Sequence, residues 1–336
     1  MKIMDKSIDL VKKAIEFRGP ERVPVNFIHF VAKDFKTDFA LKYGNDFFIA
    51  PPVGFERQPI SEKQSIDEWG CIWESFNETM GEVKGHPLKN WSTLDSLKIP
   101  DSYNPVRYEY IKPLLAQNCD KFKIVFFFFF LFERMHSLRG FTQLMEDFYF
   151  ERENVEKLGD MLVSYNIKLI NTFADLGFNG ILVTDDWGIQ DSLMISPQLW
   201  RNIFKPKYKN IVDAAHQKGM KFFLHSCGQI SSIIGDLIEI GVDVLQLDQQ
   251  DNMGIDFLSK NFGGKICFFC PTDIQTTLIS NDHKAIEAKA KELIEKLGKF
   301  KGGFMAKTYP QPTDIGVTEE SVKVMCEAFN KYGLYI

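Results

Sequence analysis

The sequence predicts an α/β protein folded as a single (β/α)8 barrel, a TIM barrel, with an elaborated N-terminal region. From residue 150 onward, short apolar segments alternate with longer amphipathic segments. Strict alternation of strands and helices indicates a parallel sheet. About eight candidate strands of this kind over 336 residues favour a closed barrel. A doubly wound open sheet is the second interpretation.

The predicted strands are short apolar runs bounded by turn residues. They cover residues 22–30, 123–131, 180–187, 221–227, 242–248, 265–270 and 302–308. The predicted helices cover residues 196–219, 231–241, 253–263, 282–299 and 318–333. Pro197 suits a first helical turn and Gly219 a helix end, whereas Pro206 is expected to kink or interrupt the first of these helices.

The N-terminal third is less regular, and we expect one domain over residues 1–336. Residues 1–17 have the pattern of an amphipathic helix rather than of a signal peptide. Residues 31–110 have the character of an insertion within the barrel domain, with a hairpin expected near residues 67–83.

Composition narrows the class of partner and the compartment. The net charge is −5 without a block of like charge, which argues against nucleic acid or an anionic membrane as the main partner. The longest apolar run, residues 124–132, is too short for a membrane span, which needs roughly 20 residues. Six scattered cysteines predict a reduced, cytoplasmic protein. No glycine-rich dinucleotide or P-loop motif is present.

Polar side chains follow nearly every predicted strand. In a (β/α)8 barrel the active site lies at the carboxyl ends of the strands. The residues at these ends are Asp185, Asp186, Trp187, His225, Cys227, Asp248, Cys270, Lys307 and Tyr309. This concentration at one end of the strands predicts an enzyme.

One strand end has the spacing of a metal site. His225 and Cys227 are two residues apart, so on a strand they point to the same side. Imidazole nitrogen and thiolate sulfur are both zinc ligands. The alternative is a hydrogen-bonded core histidine beside a small buried cysteine.

Several motifs resemble the uroporphyrinogen decarboxylase superfamily, in the right order and almost end to end. They include AIEFRGPERVPV (14–25), DEWGCIW (67–73), FERMHSLRGF (132–141), DDWGIQ (185–190) and HSCGQI (225–230). The resemblance implies a (β/α)8 barrel. The true decarboxylases carry an arginine-rich stretch after the first strand, but residues 25–35 contain no arginine. Through H-x-C-G, the chain resembles the cobalamin-dependent methyltransferase branch more closely.

The resemblance to that branch implies a zinc ion held by the H-x-C pair and by a later cysteine near the last strand. His225 and Cys227 match the pair, but residues 306–312 contain neither cysteine nor histidine, and Tyr309 stands about where the third ligand would be. Cys270 is the expected replacement, because Cys267 points to the opposite side of the same strand.

The expected function is transfer of a methyl group between a small methylated substrate and the cobalt of a corrinoid, with zinc or an acid as activator. A methoxylated aromatic is one donor that the abundant phenylalanines would suit. The chain lacks the D-x-H-x-x-G motif of corrinoid carriers, so a separate small protein is expected to supply the cofactor. The alternative function is decarboxylation of a small carboxylated substrate. Whether the protein forms a homodimer stays open.

Roles follow for the individual residues. Asp185, Asp186 and His225 are the expected catalytic residues. Glu133 is expected to contact the substrate or metal, or else to pair with Arg139 in a structural role. The other expected substrate contacts are Trp187, Gln190, Asp248 and Tyr309.

Overall fold

The computed structural model describes residues 5–28, 35–50, 56–75 and 81–335. These residues form twelve strands, numbered here in chain order: β1 (Val25–Asn26), β2 (Phe47–Ala50), β3 (Arg57–Pro59), β4 (Gln64–Asp67), β5 (Ile72–Glu74), β6 (Glu82–Gly85), β7 (Phe122–Phe127), β8 (Gly180–Thr184), β9 (Lys221–His225), β10 (Val244–Gln246), β11 (Cys267–Cys270) and β12 (Phe304–Lys307).

The α-helices of the described residues lie mostly between consecutive barrel strands. They are α1 (Ser7–Ile15), α2 (Phe39–Tyr43), α3 (Val106–Glu109), α4 (Ile111–Gln117), α5 (Phe132–Arg139), α6 (Phe141–Phe150), α7 (Arg152–Asp175), α8 (Pro197–Gln217), α9 (Ser231–Glu239), α10 (Ile255–Phe262), α11 (His283–Leu297) and α12 (Glu319–Tyr332). No helix of the described residues combines the length and the apolar character that crossing a membrane requires.

Eight strands form one parallel sheet in the order β1-β12-β11-β10-β9-β8-β7-β2. The two end strands approach each other, because the Asp46 N–H donates to the Val25 carbonyl at 2.8 Å. Arg22 binds the Asp46 carboxylate through both of its terminal nitrogens, at 2.7 Å each. The sheet is therefore a nearly closed barrel, which confirms the predicted fold class and excludes the doubly wound sheet.

The barrel interior is apolar at one end and polar at the other. Alternate residues of the strands point inward and pack together: Phe47, Phe122, Leu182, Phe223, Val244, Cys267, Phe269 and Met305. Helix α1 covers this layer from below with Val11, Ala14 and Ile15, and Ala14 accepts a hydrogen bond from the Gly303 N–H at 2.8 Å. With the amino-terminal end closed, the carboxyl ends of the strands form the mouth.

The N-terminal elaboration contains a small antiparallel sheet in the order β3-β4-β5-β6. Its β4–β5 pair confirms the hairpin expected near residues 67–83. Asp67 joins this sheet to the barrel domain, since its carboxylate accepts hydrogen bonds from the Trp73 indole at 3.0 Å and from Arg134 of α5 at 3.1 Å. The described part of the predicted region 31–110 therefore packs against the first helix beyond β7.

Three sequence predictions about secondary-structure elements differ from the structure. Helix α8 runs through Pro206 without the interruption that was one of the two predicted outcomes, and the kink stays a prediction. Proline removes one backbone hydrogen bond, but Phe204 and Tyr208 on either side are fully buried and hold the helix in place. The strand predicted over 123–131 ends at Phe127, because Phe129 has a φ of 54° and turns the chain toward α5. Strand β1 is shorter than its predicted range, and residues 29–34 lie outside the described residues.

Candidate active site

Three potential ligands meet at the mouth on two neighbouring strands. On β9, His225 follows the inward-facing Phe223 by two residues and so points into the barrel. Thr184 of β8 is its partner in register. Asp186 and Cys227, each two residues further along, continue the same alternation just beyond the strand ends. The sequence pattern H-x-C therefore delivers both side chains to one point.

The ligand atoms of Asp186, His225 and Cys227 all lie within 4.8 Å of one another. His225 Nε2 is 3.6 Å from Asp186 Oδ1 and 3.5 Å from Cys227 Sγ. Asp186 Oδ1 also accepts a hydrogen bond from the Cys227 backbone N–H at 2.8 Å. The carboxylate is thus held against the strand that carries the other two ligands.

Two glycines let the loops after β8 and β9 approach closely. A Cβ at Gly188 would lie 2.4 Å from the Gln229 nitrogen and 2.6 Å from the Cys227 oxygen. Gly228 has a φ of +75°, and its added Cβ would lie 2.4 Å from the Gly188 carbonyl carbon. The motifs DDWG and HSCG therefore fit together through their glycines, and this contact fixes the distance between Asp186 and Cys227.

The electrostatics of the mouth favour a bound cation. Burial, followed by the charges of Asp186 and Asp248, raises the pKa of the Cys227 thiol. Burial and the charge of Asp186 likewise raise the pKa of Glu133 well above its usual range. Burial and nearby carboxylates, Asp248 first, raise the pKa of Tyr309 to about 12. Loss of a proton from any of these groups would add a buried negative charge beside the neighbouring carboxylates, and a positive ion would offset that charge.

The three side chains fit a zinc ion. They offer one nitrogen, one sulfur and one oxygen donor, which are the atoms that zinc accepts, and three protein ligands leave a position for a substrate atom. His225 Nδ1 is buried and has no hydrogen-bond partner among the described residues. If Nε2 bound a metal, the Nδ1–H group would be free to donate a hydrogen bond to a water molecule, and this bond would orient the ring.

Asp185 does not face the mouth, contrary to its expected catalytic role. It is fully buried on the outer side of β8, because it differs from Asp186 by one position on the strand path. Its carboxylate accepts hydrogen bonds from the Tyr208 hydroxyl at 2.5 Å and from the backbone N–H groups of Phe132 and Glu133 at 3.0 and 2.8 Å. Asp185 therefore holds the first turn of α5 in place, and burial raises its pKa to about 7.

Trp187 was expected to contact the substrate, but it lies in the layer between the barrel and the helices. It is fully buried, and its ring stacks on Phe132 with centroids 4.5 Å apart. Its indole N–H donates to the Tyr208 hydroxyl at 3.1 Å. The aromatic side chain is part of the hydrophobic core rather than of the mouth.

Cys270 was expected to complete the metal site, and the structure does not place it there. The described residues that could share a metal are Asp186, His225 and Cys227 alone. On β11, Cys267 and Phe269 pack in the barrel interior, so the alternation turns Cys270 toward the helices, where it is fully buried. Cys267 and Cys270 do point to opposite sides of β11, as predicted, but Cys267 rather than Cys270 faces the barrel interior.

Glu133 lies at the mouth at the start of α5. Its Oε2 accepts a hydrogen bond from the Thr184 hydroxyl at 3.0 Å. The structural alternative, a pair with Arg139, does not form, because Arg139 binds Asp147 at 2.6 Å. Gln190 is exposed in the loop after β8 and bonds Gln275 at 3.3 Å.

Asp248 lies just beyond β10, the neighbour of β9, whereas Tyr309 lies beyond β12 on the far side of the mouth. Asp248 is buried, and its Oδ1 accepts hydrogen bonds from Lys307 at 2.7 Å and from Gln246 at 2.9 Å. Tyr309 is half-buried and feels the charges of Asp248, Cys227 and Asp186. The sequence did not assign a role to Gln246, although it follows the inward-facing Val244 by two residues, which is the signal that would have identified it.

Comparisons with known proteins agree with this architecture. Residues 75–332 match the family described as uroporphyrinogen decarboxylase (URO-D). The structure superposes on a methyltransferase from Methanosarcina mazei with a TM-score of 0.75 and 17% sequence identity, covering 97% of this chain and 99% of that one. An endo-β-1,4-xylanase from Gloeophyllum trabeum gives a TM-score of only 0.40 at 10% identity, over 68% of this chain and 80% of that one. No curated protein sequence matches.

The methyltransferase likeness shows the fold alone, because so little sequence is shared. The family match has a wider basis, since it covers most of the chain, from the residue after β5 to the end of α12. It includes the segments that carry Glu133, Asp186, His225 and Cys227. On this match, together with the nearly closed (β/α)8 barrel, the chain belongs to the uroporphyrinogen decarboxylase family.

Proposed function

We propose that this protein is a corrinoid-dependent methyltransferase whose Asp186, His225 and Cys227 hold a zinc ion. It moves a methyl group between a small methylated substrate, such as a methoxylated aromatic, and the cobalt of a corrinoid presented by a separate small protein. The observation that carries the proposal is the ligand group itself, with its three donor atoms within 4.8 Å at the barrel mouth. The fold shared with a methyltransferase supports the same proposal.

The chemistry requires stabilisation of the atom that loses the methyl group. In the transfer from a methyl ether, the carbon–oxygen bond breaks, a cobalt–carbon bond forms with the electron pair of the reduced cobalt, and the oxygen departs with negative charge. Bound zinc would act as a Lewis acid on that oxygen. Asp186, His225 and Cys227 would hold the ion. Glu133, whose pKa is raised, would donate a proton to the departing oxygen.

Metal analysis of the purified full-length protein tests the zinc site. We expect one zinc per chain, and we expect Asp186→Asn, His225→Ala and Cys227→Ser each to lose it, because a site with one of three ligands removed binds far more weakly. Cys270→Ala is the matched control. It removes a buried thiol outside the ligand group, and we expect it to retain zinc. Zinc lost from Cys270→Ala and retained by Asp186→Asn would contradict this ligand assignment.

A corrinoid methylation assay tests the reaction. Reduced free cobalamin, or a corrinoid protein, is mixed with a methoxylated aromatic, a methylamine or a methylthiol, and formation of methyl–cobalt is followed by its absorbance spectrum. We expect methylation with at least one donor, and a loss of about 100-fold or more in the Cys227→Ser variant. The absence of methylation with every donor class would refute the proposal.

Decarboxylation is the second candidate, and two observations favour it: the family to which the chain belongs and the buried cation Lys307 inside the mouth. A lysine at this position could bind a substrate carboxylate. Release of carbon dioxide from a carboxylated substrate, together with no corrinoid methylation, would establish this alternative.

A further inference from the structure

The wall of the mouth opposite the Asp186–His225–Cys227 group carries a second polar cluster, formed by Lys307 of β12 and Asn26 of β1. We infer that Lys307 and Asn26 of this cluster anchor a neutral hydroxyl group of the substrate, and this inference rests on the proposed methyl-transfer function. Lys307 follows the inward-facing Met305 by two residues, and Asn26 is its partner in register on β1. Both side chains therefore point into the barrel.

The position of this cluster in the barrel suits a substrate anchor. In the strand order, β1 lies four places from β9, and β12 lies four places from β8. In a ring of eight strands these are opposite positions. Eight strands about 4.8 Å apart and tilted by about 36° enclose a ring about 15 Å across between backbones. Side chains from the two walls thus face each other across the mouth.

The hydrogen bonds of the cluster are incomplete. Lys307 is 6% exposed, and among the described residues its ammonium group bonds only Asp248, which leaves two N–H donors for another partner. Asn26 is 5% exposed, and its Oδ1 has no partner within the described part of the chain. Buried polar atoms are costly when unpaired. A ligand that both accepts from Lys307 and donates to Asn26 would satisfy them.

A purely structural role explains this arrangement poorly. A buried ion pair such as Lys307–Asp248 is often no more stabilising than apolar residues of similar size. The layer directly below consists of apolar residues, including Phe223, Phe269 and Met305, so the barrel can be filled without charges. The polar layer begins only where the mouth opens.

The charges at the mouth select a neutral partner rather than an anion. Lys307 and Asp248 form an ion pair with no net charge. The thiolate of Cys227 and the carboxylate of Asp186 would together neutralise a divalent zinc ion. A substrate carboxylate at Lys307 would add uncompensated charge beside Asp248. A hydroxyl group adds none, and it can accept one hydrogen bond and donate another.

Ligand binding to the zinc-loaded, full-length protein tests the anchor by calorimetric titration. The probes are 2-methoxyphenol, methoxybenzene and 2-methoxybenzoate. We expect 2-methoxyphenol to bind about tenfold more tightly than methoxybenzene, the effect of about 1.4 kcal/mol or one net hydrogen bond. We expect Lys307→Met and Asn26→Leu each to remove most of this preference without loss of zinc. Lys218→Met, which alters an exposed lysine paired with Asp175, is the matched control and should keep it.

Asp248 is left without its partner in Lys307→Met, so the double variant Lys307→Met/Asp248→Asn is measured as well. Equal binding of 2-methoxyphenol and methoxybenzene by the wild type overturns the inference. So does an unchanged preference in whichever of these two variants folds, or tightest binding of 2-methoxybenzoate. A hydroxyl preference that depends on Lys307 in a protein that methylates no corrinoid would support the anchor and refute the methyltransferase. Corrinoid methylation without any such preference would refute the anchor and support the methyltransferase.

Discussion

The hydroxyl group of Tyr208 links the outer side of β8 to the start of α5, and its removal gives a sharp test of this network. Tyr208 is fully buried on α8. It donates to Asp185 at 2.5 Å and accepts from the Trp187 indole at 3.1 Å. Asp185 in turn accepts the first N–H groups of α5, which otherwise lacks a capping side chain of its own. We therefore expect Tyr208→Phe to destabilise the fold.

The magnitude follows from the two lost hydrogen bonds. At a pH above the Asp185 pKa of about 7, the hydrogen bond to this charged carboxylate contributes about 1.5–3 kcal/mol, and a buried N–H left unpaired costs about 1–3 kcal/mol. The variant no longer has to bury a hydroxyl group, which offsets part of this loss. The net decrease in the free energy of unfolding should be about 3 kcal/mol. For a chain of 336 residues, that corresponds to a fall in Tm of about 4 °C.

Thermal unfolding followed by circular dichroism measures the effect. Tyr43→Phe is the matched control, because the Tyr43 hydroxyl bonds the exposed Glu327 at 3.0 Å, and its loss should change stability by no more than about 0.5 kcal/mol. If Tyr208→Phe melts within about 1 °C of the wild type, the hydroxyl group does not support Asp185 and Trp187 in the way described here.

Two further predictions concern the lower end of the barrel and the contact between the two loops. Burial alone would raise the pKa of Asp243, but hydrogen bonds from His216 and the Phe222 N–H and the charge of Lys221 lower it overall. Because the pKa is lower in the folded state, Asp243→Asn should reduce the free energy of unfolding by about 1–3 kcal/mol at pH 7. In urea unfolding, this difference from the wild type should vanish as the pH falls through that lowered pKa. An equal difference at pH 7 and at acid pH would contradict the prediction. Gly188→Ala should displace the loop that carries Cys227, because the added Cβ would collide with that loop. Zinc affinity, measured by competition with a chelator, should fall by about tenfold or more, as it does when groups that orient metal ligands are altered. The control Gly235→Ala, whose added Cβ meets nothing within 4 Å on α9, should leave zinc affinity unchanged and raise stability by about 1 kcal/mol; equal zinc affinity in both variants would show that the loop contact does not shape the site.

The sequence determined the architecture because strand and helix periodicities are local properties. Alternating apolar and amphipathic segments predicted a parallel barrel, and eight strands form it. A hairpin was also expected near residues 67–83, and β4 and β5 form one there. The same local rule placed His225 and Cys227 on one side, because two residues on a strand always share a face.

Only the tertiary structure decided which side of each strand faces the barrel interior. From the sequence, the side chains of Asp185 and Asp186 point to opposite sides of the strand path, and so do those of Cys267 and Cys270. The sequence could not tell which member of each pair faces the barrel interior, since both sides of a parallel barrel strand are apolar. Packing turned Asp186 and Cys267 inward and left Asp185 and Cys270 against the helices. The third potential ligand came from β8 rather than from β11 because spatial neighbours in a barrel are set by strand order and register. Distances between strands are long-range properties, and no local pattern along the chain encodes them.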